Sequence, residues 1–282
     1  MKNDFEKANS QQLSADGIEI SANSLEEGVV LLFDKPLTWS SFDGVRKLKN
    51  ALRIRKVGHA GTLDPLATGL LILCTGKKTK EIDQIQAQEK EYTGTFRLGQ
   101  TTPSFDLETA VDAEGPYAHL TDADIQAAAA QFVGEIQQTP PLYSAVKIDG
   151  QRAYELARKG QTAEIKAKTV TIKTFELTRI ALPEVDFRVV CSKGTYIRSL
   201  ARDLGAALGA GAHLTGLRRT RIGAYRVEDA LTLADVQALA PPRPEGPASE
   251  ARPRRGGPRP ARAGLDFYAA QQAAGAPTEG TE

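Results

Sequence analysis

The chain has 282 residues, of which 41% are apolar and 25% are charged, and its net charge is +1 at pH 7. These proportions are close to the average for soluble globular proteins and exclude a wholly disordered chain. The longest apolar run, near residues 69–74, is far shorter than the roughly 20 residues of a membrane span. Two cysteines and three scattered histidines predict neither a disulfide framework nor a zinc site, and they fit a cytoplasmic protein.

Composition divides the chain into three parts. Residues 1–27 are polar, carry no apolar segment typical of a signal peptide, and predict a mobile leader. Residues 28–240 carry the helix and strand patterns of one domain. Residues 241–282 are rich in Pro, Arg and Gly. Because prolines remove backbone donors and glycines add chain entropy, we expect this last segment to be a disordered tail.

Strands and helices alternate irregularly within the middle part. In chain order, strands are predicted at 29–33, 70–75, 91–98, 170–177 and 187–191. Helices are predicted from an N-cap at Ser41 to about 52, from a capping box at Thr121 to about 132, and at 152–159, 197–208 and 231–239. Since strands occur in adjacent pairs as well as between helices, we expect an α+β fold with a mixed or antiparallel central sheet flanked by helices.

Two basic blocks stand out against the small net charge. Residues 45–58 contain six Lys or Arg and no acid, and residues 186–226 contain eight basic residues and two acids. Such blocks suit a surface that binds RNA phosphates. A solvated charged face is the alternative interpretation of each block.

Residues 58–69 predict a shaped loop, with three glycines and Pro65 between two apolar strands. Pro65 restricts Asp64 to extended conformations and so directs its side chain. A carboxylate held in this way can be a nucleophile, a general base, a metal ligand or a turn cap, and spacing alone favours the turn cap. Nearby, Gly76-Lys77 resembles the end of a phosphate-binding P-loop. Leu71 stands where that motif needs glycine, so no nucleotide site is predicted.

Residues 58–69 closely resemble the catalytic motif of the bacterial tRNA pseudouridine-55 synthase family, TruB. Further blocks resemble this family in the same order: Asp34-Lys35-Pro36 with Ser40-Ser41, Glu91-Tyr92 leading to Arg97-Leu98-Gly99, Pro140 to Lys147, Cys191 to Arg198, and a shorter echo at Leu217-Arg218-Arg219. The resemblance covers roughly residues 28–240. Ala67-Thr68-Gly69 is similar to the stand-alone tRNA branch of the family rather than to its RNA-guided branch.

The resemblance implies the pseudouridine synthase fold and an isomerase without a cofactor or metal that converts uridine 55 of tRNA to pseudouridine after base flipping. Catalytic roles fall on Asp64 as nucleophile, Arg198 as its partner and Tyr92 as the residue that stacks on the base. RNA or substrate contacts fall on His59, Lys35, Lys147, Leu217 and Tyr196. Residue patterns alone leave other roles open: a phosphate contact for Arg198, and ordinary core positions for Tyr92 and Leu217.

The same resemblance implies tRNA, held by its T-arm stem-loop, as the partner, with no membrane and no obligatory protein partner. Residues 121–160 resemble the mobile RNA-gripping insertion of the family. The Pro/Arg/Gly tail stands where many members carry a folded carboxy-terminal RNA-binding domain, so no such domain is expected here. Two alternatives stay open: a non-catalytic RNA-binding or RNA-folding protein on the same scaffold, and a synthase acting on another RNA. Asp64, Tyr92 and Arg198 together favour catalysis.

Overall fold

A computed structural model describes residues 12–13, 27–148 and 150–239 of the chain. The predicted tail and nearly all of the predicted leader lie outside these residues.

The described residues form strands, six α-helices and two short 3₁₀ helices. The strands are β1 Gln12–Leu13, β2 Val30–Lys35, β3 Val57–His59, β4 Ala67–Thr75, β5 Lys90–Leu98, β6 Gln100–Thr101, β7 Ala113–Glu114, β8 Gly134–Gln138, β9 Lys147–Ile148, β10 Gln151–Arg152, β11 Lys168–Ala181, β12 Glu184–Cys191, β13 Ala212–Ile222 and β14 Tyr225–Arg226. The helices are α1 Ser41–Ala51, α2 Ile82–Ala87, α3 Asp122–Ala130, α4 Ala153–Arg158, α5 Ile197–Ala207 and α6 Leu233–Ala238, with 3₁₀ turns at Gly76–Glu81 and Val227–Asp229.

Ten of these strands form one mixed sheet. Its order is β1-β2-β4-β13-β5-β12-β11-β8, with β3 paired to β4 and β14 paired to β13. The β4–β13 and β1–β2 pairs are parallel and the others in this sheet are antiparallel. The predicted α+β class with a mixed sheet flanked by helices is confirmed. None of the helices in the described residues is long and apolar enough to cross a membrane.

Strand β4 is almost continuously apolar because both faces of the sheet are covered there. On one face, Leu71 and Leu73 pack in a cluster with Leu48 of α1 and Val236 of α6. On the other face, Leu70 and its neighbours pack against Ile85 of α2 and the segment after β13. The two apolar layers hold β4 rigidly, and the loop that precedes β4 is therefore anchored to the core.

The helix starts follow local capping chemistry. Ser40, one residue before the predicted cap Ser41, is the N-cap of α1 and forms a capping box with Asp43. The predicted capping box at Thr121 is confirmed, with Asp124 as its partner. Ser41 is instead the first residue of α1, where its buried hydroxyl contacts the 58–69 loop.

Strands β8 and β13 were not predicted. In β13, Arg218, Arg219 and Arg221 interrupt the apolar alternation that identifies a strand. Tertiary structure overrides this pattern, because β13 lies between β4 and β5 in the centre of the sheet. Strand β8 pairs with β11.

The second core lies over β5, β12 and β13. Phe96 and Phe187 stack with ring centroids 4.0 Å apart, and Leu200 and Leu204 of α5 belong to the same cluster. Helix α3 joins this cluster through its alanines. The first part of the predicted 121–160 insertion is thus packed into the main sheet, while β9, β10 and α4 follow as a small separate unit. Its role in gripping RNA stays a prediction.

Candidate active site

The loop between β3 and β4 is held at both sides of Asp64. The backbone N–H of Leu63 donates to Ser41 Oγ at 2.8 Å. The backbone N–H of Thr38 donates to the carbonyl of Pro65, also at 2.8 Å. The residues directly before and after Asp64 are therefore tied to the segment that leads into α1, and the carboxylate is presented in one direction.

Arg219 of β13 supports the same loop from the protein interior. Its side chain is fully buried, and its Nε–H donates to the carbonyl of Leu70 at 2.8 Å. Its terminal nitrogens donate to the carbonyls of Gly61 and Thr62, both at 3.3 Å. Strand β13 approaches so closely that a Cβ on Gly69 would lie 2.3 Å from the carbonyl oxygen of Arg219. The sequence marked Arg219 only as part of a short motif; its partners became visible only in the fold.

Asp64 and Arg198 form an ion pair, as the resemblance implied. Arg198 Nη2 donates to Asp64 Oδ1 at 3.1 Å, and Arg198 Nε lies 2.9 Å from Oδ2. The Nε–H is not aligned as a hydrogen bond, so this second contact is purely electrostatic. Arg198 is 3% exposed, while the Asp64 side chain is 37% exposed. A buried cation thus faces a carboxylate that is open to an incoming ligand.

Arg198 owes its position to the start of α5 and to carbonyls from two other segments. Its Nη1 donates to the carbonyl of Ser104 at 3.3 Å, and its Nη2 donates to the carbonyl of Tyr143 at 2.9 Å. The planar guanidinium can satisfy these acceptors and Asp64 at once because its donors form a fixed fork.

A second carboxylate, Asp106, was missed by the sequence analysis. Its Oδ2 lies 3.6 Å from Arg198 Nε, and its Oδ1 accepts from the backbone N–H of Glu108 at 2.9 Å. Burial raises the pKa of Asp106 to about 6; Arg198 opposes this rise and Asp64 adds to it. Asp106 lies in an irregular segment between β6 and β7 without a recognisable motif, so no local signal identified it. One arginine therefore lies between two carboxylates.

A pocket opens beside Asp64. Asp64 and Asp106 lie on its wall with residues of the 102–109 segment, the start of β4 and β13. The other lining residues are Leu66, Ala67, Leu107, Leu214, Thr215, Gly216 and Leu217. Leu217 thus lines the same pocket as Asp64, and its contact with the uracil stays a prediction. The pocket combines apolar walls with a carboxylate pair.

Tyr92 and Tyr196 lie close to this centre on different elements. Tyr92, in β5, is buried in the cluster that contains Leu63. Burial raises the pKa of its phenol, and nearby Arg219 opposes that rise. The backbone of Tyr196 precedes α5 and exchanges two hydrogen bonds with the Gln138 side chain, at 2.8 and 3.2 Å. Burial also raises the pKa of the Tyr196 phenol.

The other three residues predicted to contact RNA lie on different elements and differ in their burial. His59 ends β3 and is half-buried, which lowers its pKa and favours a neutral ring. Lys35 is fully buried, and its Nζ donates to the carbonyls of Trp39 at 2.7 Å and Pro36 at 3.0 Å. Lys147 lies in β9, but its side chain is outside the described residues.

The placement of Lys35 changes its expected role. Burial lowers the pKa of its ammonium to about 8, against the raising effect of Asp64. Its Nζ also lies 3.5 Å from the carbonyl of Pro65. This placement favours a structural role beneath the Asp64 turn over the phosphate contact expected from the sequence.

Other nucleophiles and metal ligands receive little support. Cys74 and Cys191 are buried, and burial raises the pKa of each thiol to about 11, which keeps both protonated. Within the described residues, no group of three or more His, Cys, Asp or Glu is arranged to hold a metal ion. The charged groups in contact at this site are the carboxylates of Asp64 and Asp106 and the guanidinium of Arg198.

Comparison with known families identifies the chain. The model of the TruB family pseudouridylate synthase N-terminal domain matches residues 49–197. The chain belongs to the TruB family of pseudouridylate synthases. The model of the tRNA pseudouridylate synthase B C-terminal domain matches residues 198–245 of this TruB member.

Individual relatives agree with this assignment. This TruB member is 59% identical to tRNA pseudouridine synthase B of Flavobacterium johnsoniae over 214 residues, which span 73% of the chain and 93% of the relative. It is 56% identical to tRNA pseudouridine synthase B of Phocaeicola vulgatus, over 74% of the chain and 92% of the relative. A solved Cbf5-Nop10-Gar1 complex contains a chain of similar fold, with 32% identity and a TM-score of 0.60. That match covers 76% of this chain and 54% of the other, so about half of the solved chain is matched.

Proposed function

We propose that this tRNA pseudouridine synthase isomerises uridine 55 in the T loop, with Asp64 as its nucleophile. The relatives that match it along most of their length are tRNA pseudouridine synthases B. The observation that carries the chemical part of the proposal is the Asp64–Arg198 pair, a partly exposed carboxylate held by a buried arginine beside an apolar pocket.

The reaction exchanges one bond at the ribose for another. Uracil leaves through N1 with the bonding electrons, turns, and returns through C5. The proton on C5 is lost and N1 gains a proton, so the composition of the nucleotide is unchanged. A carboxylate that attacks the anomeric carbon would act as the nucleophile does in retaining glycosidases. Asp64 is the partly exposed carboxylate at the pocket and is the candidate for this attack.

Arg198 would hold the Asp64 carboxylate in one direction. A charge-assisted pair with a buried arginine limits the rotation of the side chain. Asp106 lies on the other side of Arg198 and also interacts with the positive charge of the guanidinium. Asp64 is therefore not fully neutralised and keeps nucleophilic character. This balance depends on the ionisation of Asp106, whose pKa of about 6 lies close to neutral pH.

The apolar pocket suits a flipped uracil ring. A base reaches a recessed carboxylate only after leaving the RNA stack, which costs roughly a few kcal/mol. Leu66, Leu107 and Leu217 supply apolar contacts that offset part of this cost, and Thr215 and Gly216 line the same pocket. The 45–58 block, with exposed Lys49, would hold phosphates of the same RNA.

Incubating the purified chain with an unmodified tRNA transcript tests this function. Pseudouridine is mapped by chemical adduct formation and primer extension. We expect one new pseudouridine, at position 55, and none in a matched transcript that carries cytidine there. Pseudouridine at another site would contradict the position and support a different RNA target. Tight binding without any isomerisation would favour a non-catalytic RNA-binding or RNA-folding protein.

Asp106→Asn should remove the pH dependence of the turnover rate that arises from the ionisation of Asp106. The folded pKa of Asp106, about 6, is above its ordinary 3.8, so its protonated form is favoured by folding, and that stabilisation is lost as the pH rises from 4 through 6. In the native enzyme, ionised Asp106 contributes to holding Arg198 only above about pH 6. We expect the single-turnover rate of the natural chain to rise between pH 5 and 7, with its midpoint near 6.

The Asp106→Asn variant should be slower by roughly tenfold or more above pH 7, and its rate should lack this rise. The difference in unfolding free energy between the two proteins should also change with pH between 4 and 6 and be constant above pH 7. If the rate of the variant falls at acidic pH as the rate of the natural chain does, the titrating group is not Asp106.

A further inference from the structure

The packing of α1 does not explain why the side chain of Phe42 is exposed. With 66% of its surface exposed, it is the most exposed large apolar side chain of the described residues. The helical period turns Val45 and Leu48 of α1 towards the core and Phe42 towards solvent. The two other exposed large apolar side chains in the described residues, Val133 and Leu239, are aliphatic. A single exposed apolar side chain is common on protein surfaces, so its meaning depends on its neighbours.

The exposed side chains that share the stripe of Phe42 on α1 are cations. Arg46 and Lys49 follow at spacings of four and three residues, which places all three on one exposed stripe of the helix. Asp43 pairs with Arg46 at 2.8 Å, which restricts the position of the guanidinium. Exposed Arg55 and nearby cations continue the positive surface after the helix ends. An aromatic ring followed by cations is the composition of surfaces that bind single-stranded nucleic acid.

Phe42 also lies near the reacting carboxylate. Its neighbour Ser41 is hydrogen-bonded to the backbone of Leu63, which precedes Asp64 directly. Because consecutive Cα atoms are about 3.8 Å apart, this connection keeps the Cα atoms of Phe42 and Asp64 within roughly 15 Å. That distance is the length of a few nucleotides, so one RNA loop can reach both residues.

We propose that Phe42 stacks on an unpaired base of the RNA substrate next to the uridine that enters the pocket, while Arg46 and Lys49 hold the phosphates that follow. This inference rests on the proposed function, since it names the RNA contact beside the same site. A protein partner would be expected to cover several apolar side chains together, whereas the exposed side chains around Phe42 on α1 are cations. Stacking at Phe42 would also compensate for the base stacking lost when the uridine flips out.

The test compares Phe42→Ala, Phe42→Leu and Phe42→Trp in the full chain, with Leu239→Ala as the matched control. The dissociation constant for an unmodified tRNA transcript is measured by filter binding, and the single-turnover rate is measured with saturating enzyme. We expect Phe42→Ala and Phe42→Leu to weaken binding about tenfold or more and Phe42→Trp to bind like the natural chain. The saturating rate should change by less than about twofold, since Phe42 is not at the reacting atoms. Leu239→Ala should alter neither quantity.

A second measurement detects the stacking itself. A transcript with 2-aminopurine beside uridine 55 should lose fluorescence when the natural chain or Phe42→Trp binds, and it should keep that fluorescence with Phe42→Ala. Thermal melting of each variant confirms folding, because an exposed side chain contributes little to stability.

The possible outcomes separate this inference from the proposed function. If the natural chain forms pseudouridine 55 but Phe42→Ala binds tRNA equally well, the inference is overturned and the proposed function stands. If Phe42→Leu binds like the natural chain, apolar contact replaces stacking and the inference is overturned as well. If the natural chain binds tRNA without isomerising it, the proposed function fails, and the binding of the Phe42 variants still decides the stacking contact.

Discussion

Asp64→Asn should abolish pseudouridine formation, with a loss of at least about 10⁴-fold in the single-turnover rate. The amide keeps the size of the side chain but cannot attack the ribose. The backbone hydrogen bonds that flank this residue, to Ser41 Oγ and from Thr38, do not involve its side chain and should persist. The dissociation constant for tRNA should therefore change by less than about threefold. Parallel measurements of binding and turnover on the same protein preparation check both expectations.

Asp186→Asn is a matched control for this substitution. Asp186 pairs with Arg179 at 2.6 Å on the β11–β12 hairpin, where both side chains are partly exposed. Surface pairs of this kind contribute little, so the control should keep full activity and nearly full stability. If Asp64→Asn keeps measurable isomerisation while Asp186→Asn behaves normally, the nucleophile is another group, and the Asp64–Arg198 pair is then a structural feature of the loop.

Arg198→Gln should cause a large combined loss of activity and stability. Removing the guanidinium leaves buried Asp106 without its cation and deprives the carbonyls of Ser104 and Tyr143 of a donor. Breaking a buried pair from one side costs about 3–5 kcal/mol. We expect the free energy of unfolding, measured with urea at pH 7.5, to fall by about that amount, and the turnover rate to fall at least about 100-fold. Exposed Arg179→Gln is the control and should change each quantity only slightly.

Two companion variants show which property of Arg198 matters. Arg198→Lys keeps the charge but loses the planar fork, so it should regain part of the stability and little of the activity. Arg198→Gln combined with Asp106→Asn should be more stable than Arg198→Gln alone, because the unpaired buried carboxylate is gone. A destabilisation by Arg198→Gln no larger than that of Arg179→Gln would show that the buried cluster contributes no stability.

The position of Arg198 also illustrates how the site is assembled. Asp64 comes from the loop before β4, Arg198 from the first turn of α5, and Asp106 from the irregular segment after β6. Asp64 and Arg198 are 134 residues apart in the chain. Their meeting depends on β13, which pairs in parallel with β4 and supports the loop through Arg219. A site built from three segments in this way depends on the register of the central sheet.

The sequence by itself determined the α+β class, the capping box at Thr121 and the special loop around Asp64. These features are local: apolar periodicity, a capping residue with an acid three positions later, and a proline after an aspartate all act within a few residues. The resemblance to a family then supplied the pairing of Asp64 with Arg198. Residue spacing alone would have left Asp64 as an ordinary turn cap.

Only the tertiary structure decided the central position of β13, the carbonyl partners of Arg219, the burial of Lys35 and the presence of Asp106 beside Arg198. The physical reason is the same in each case. A polar group is stable in the interior only when other groups satisfy it, and here those partners lie in distant segments of the chain. Local sequence shows that Arg219 and Lys35 are charged, but it does not show which carbonyls the fold places around them.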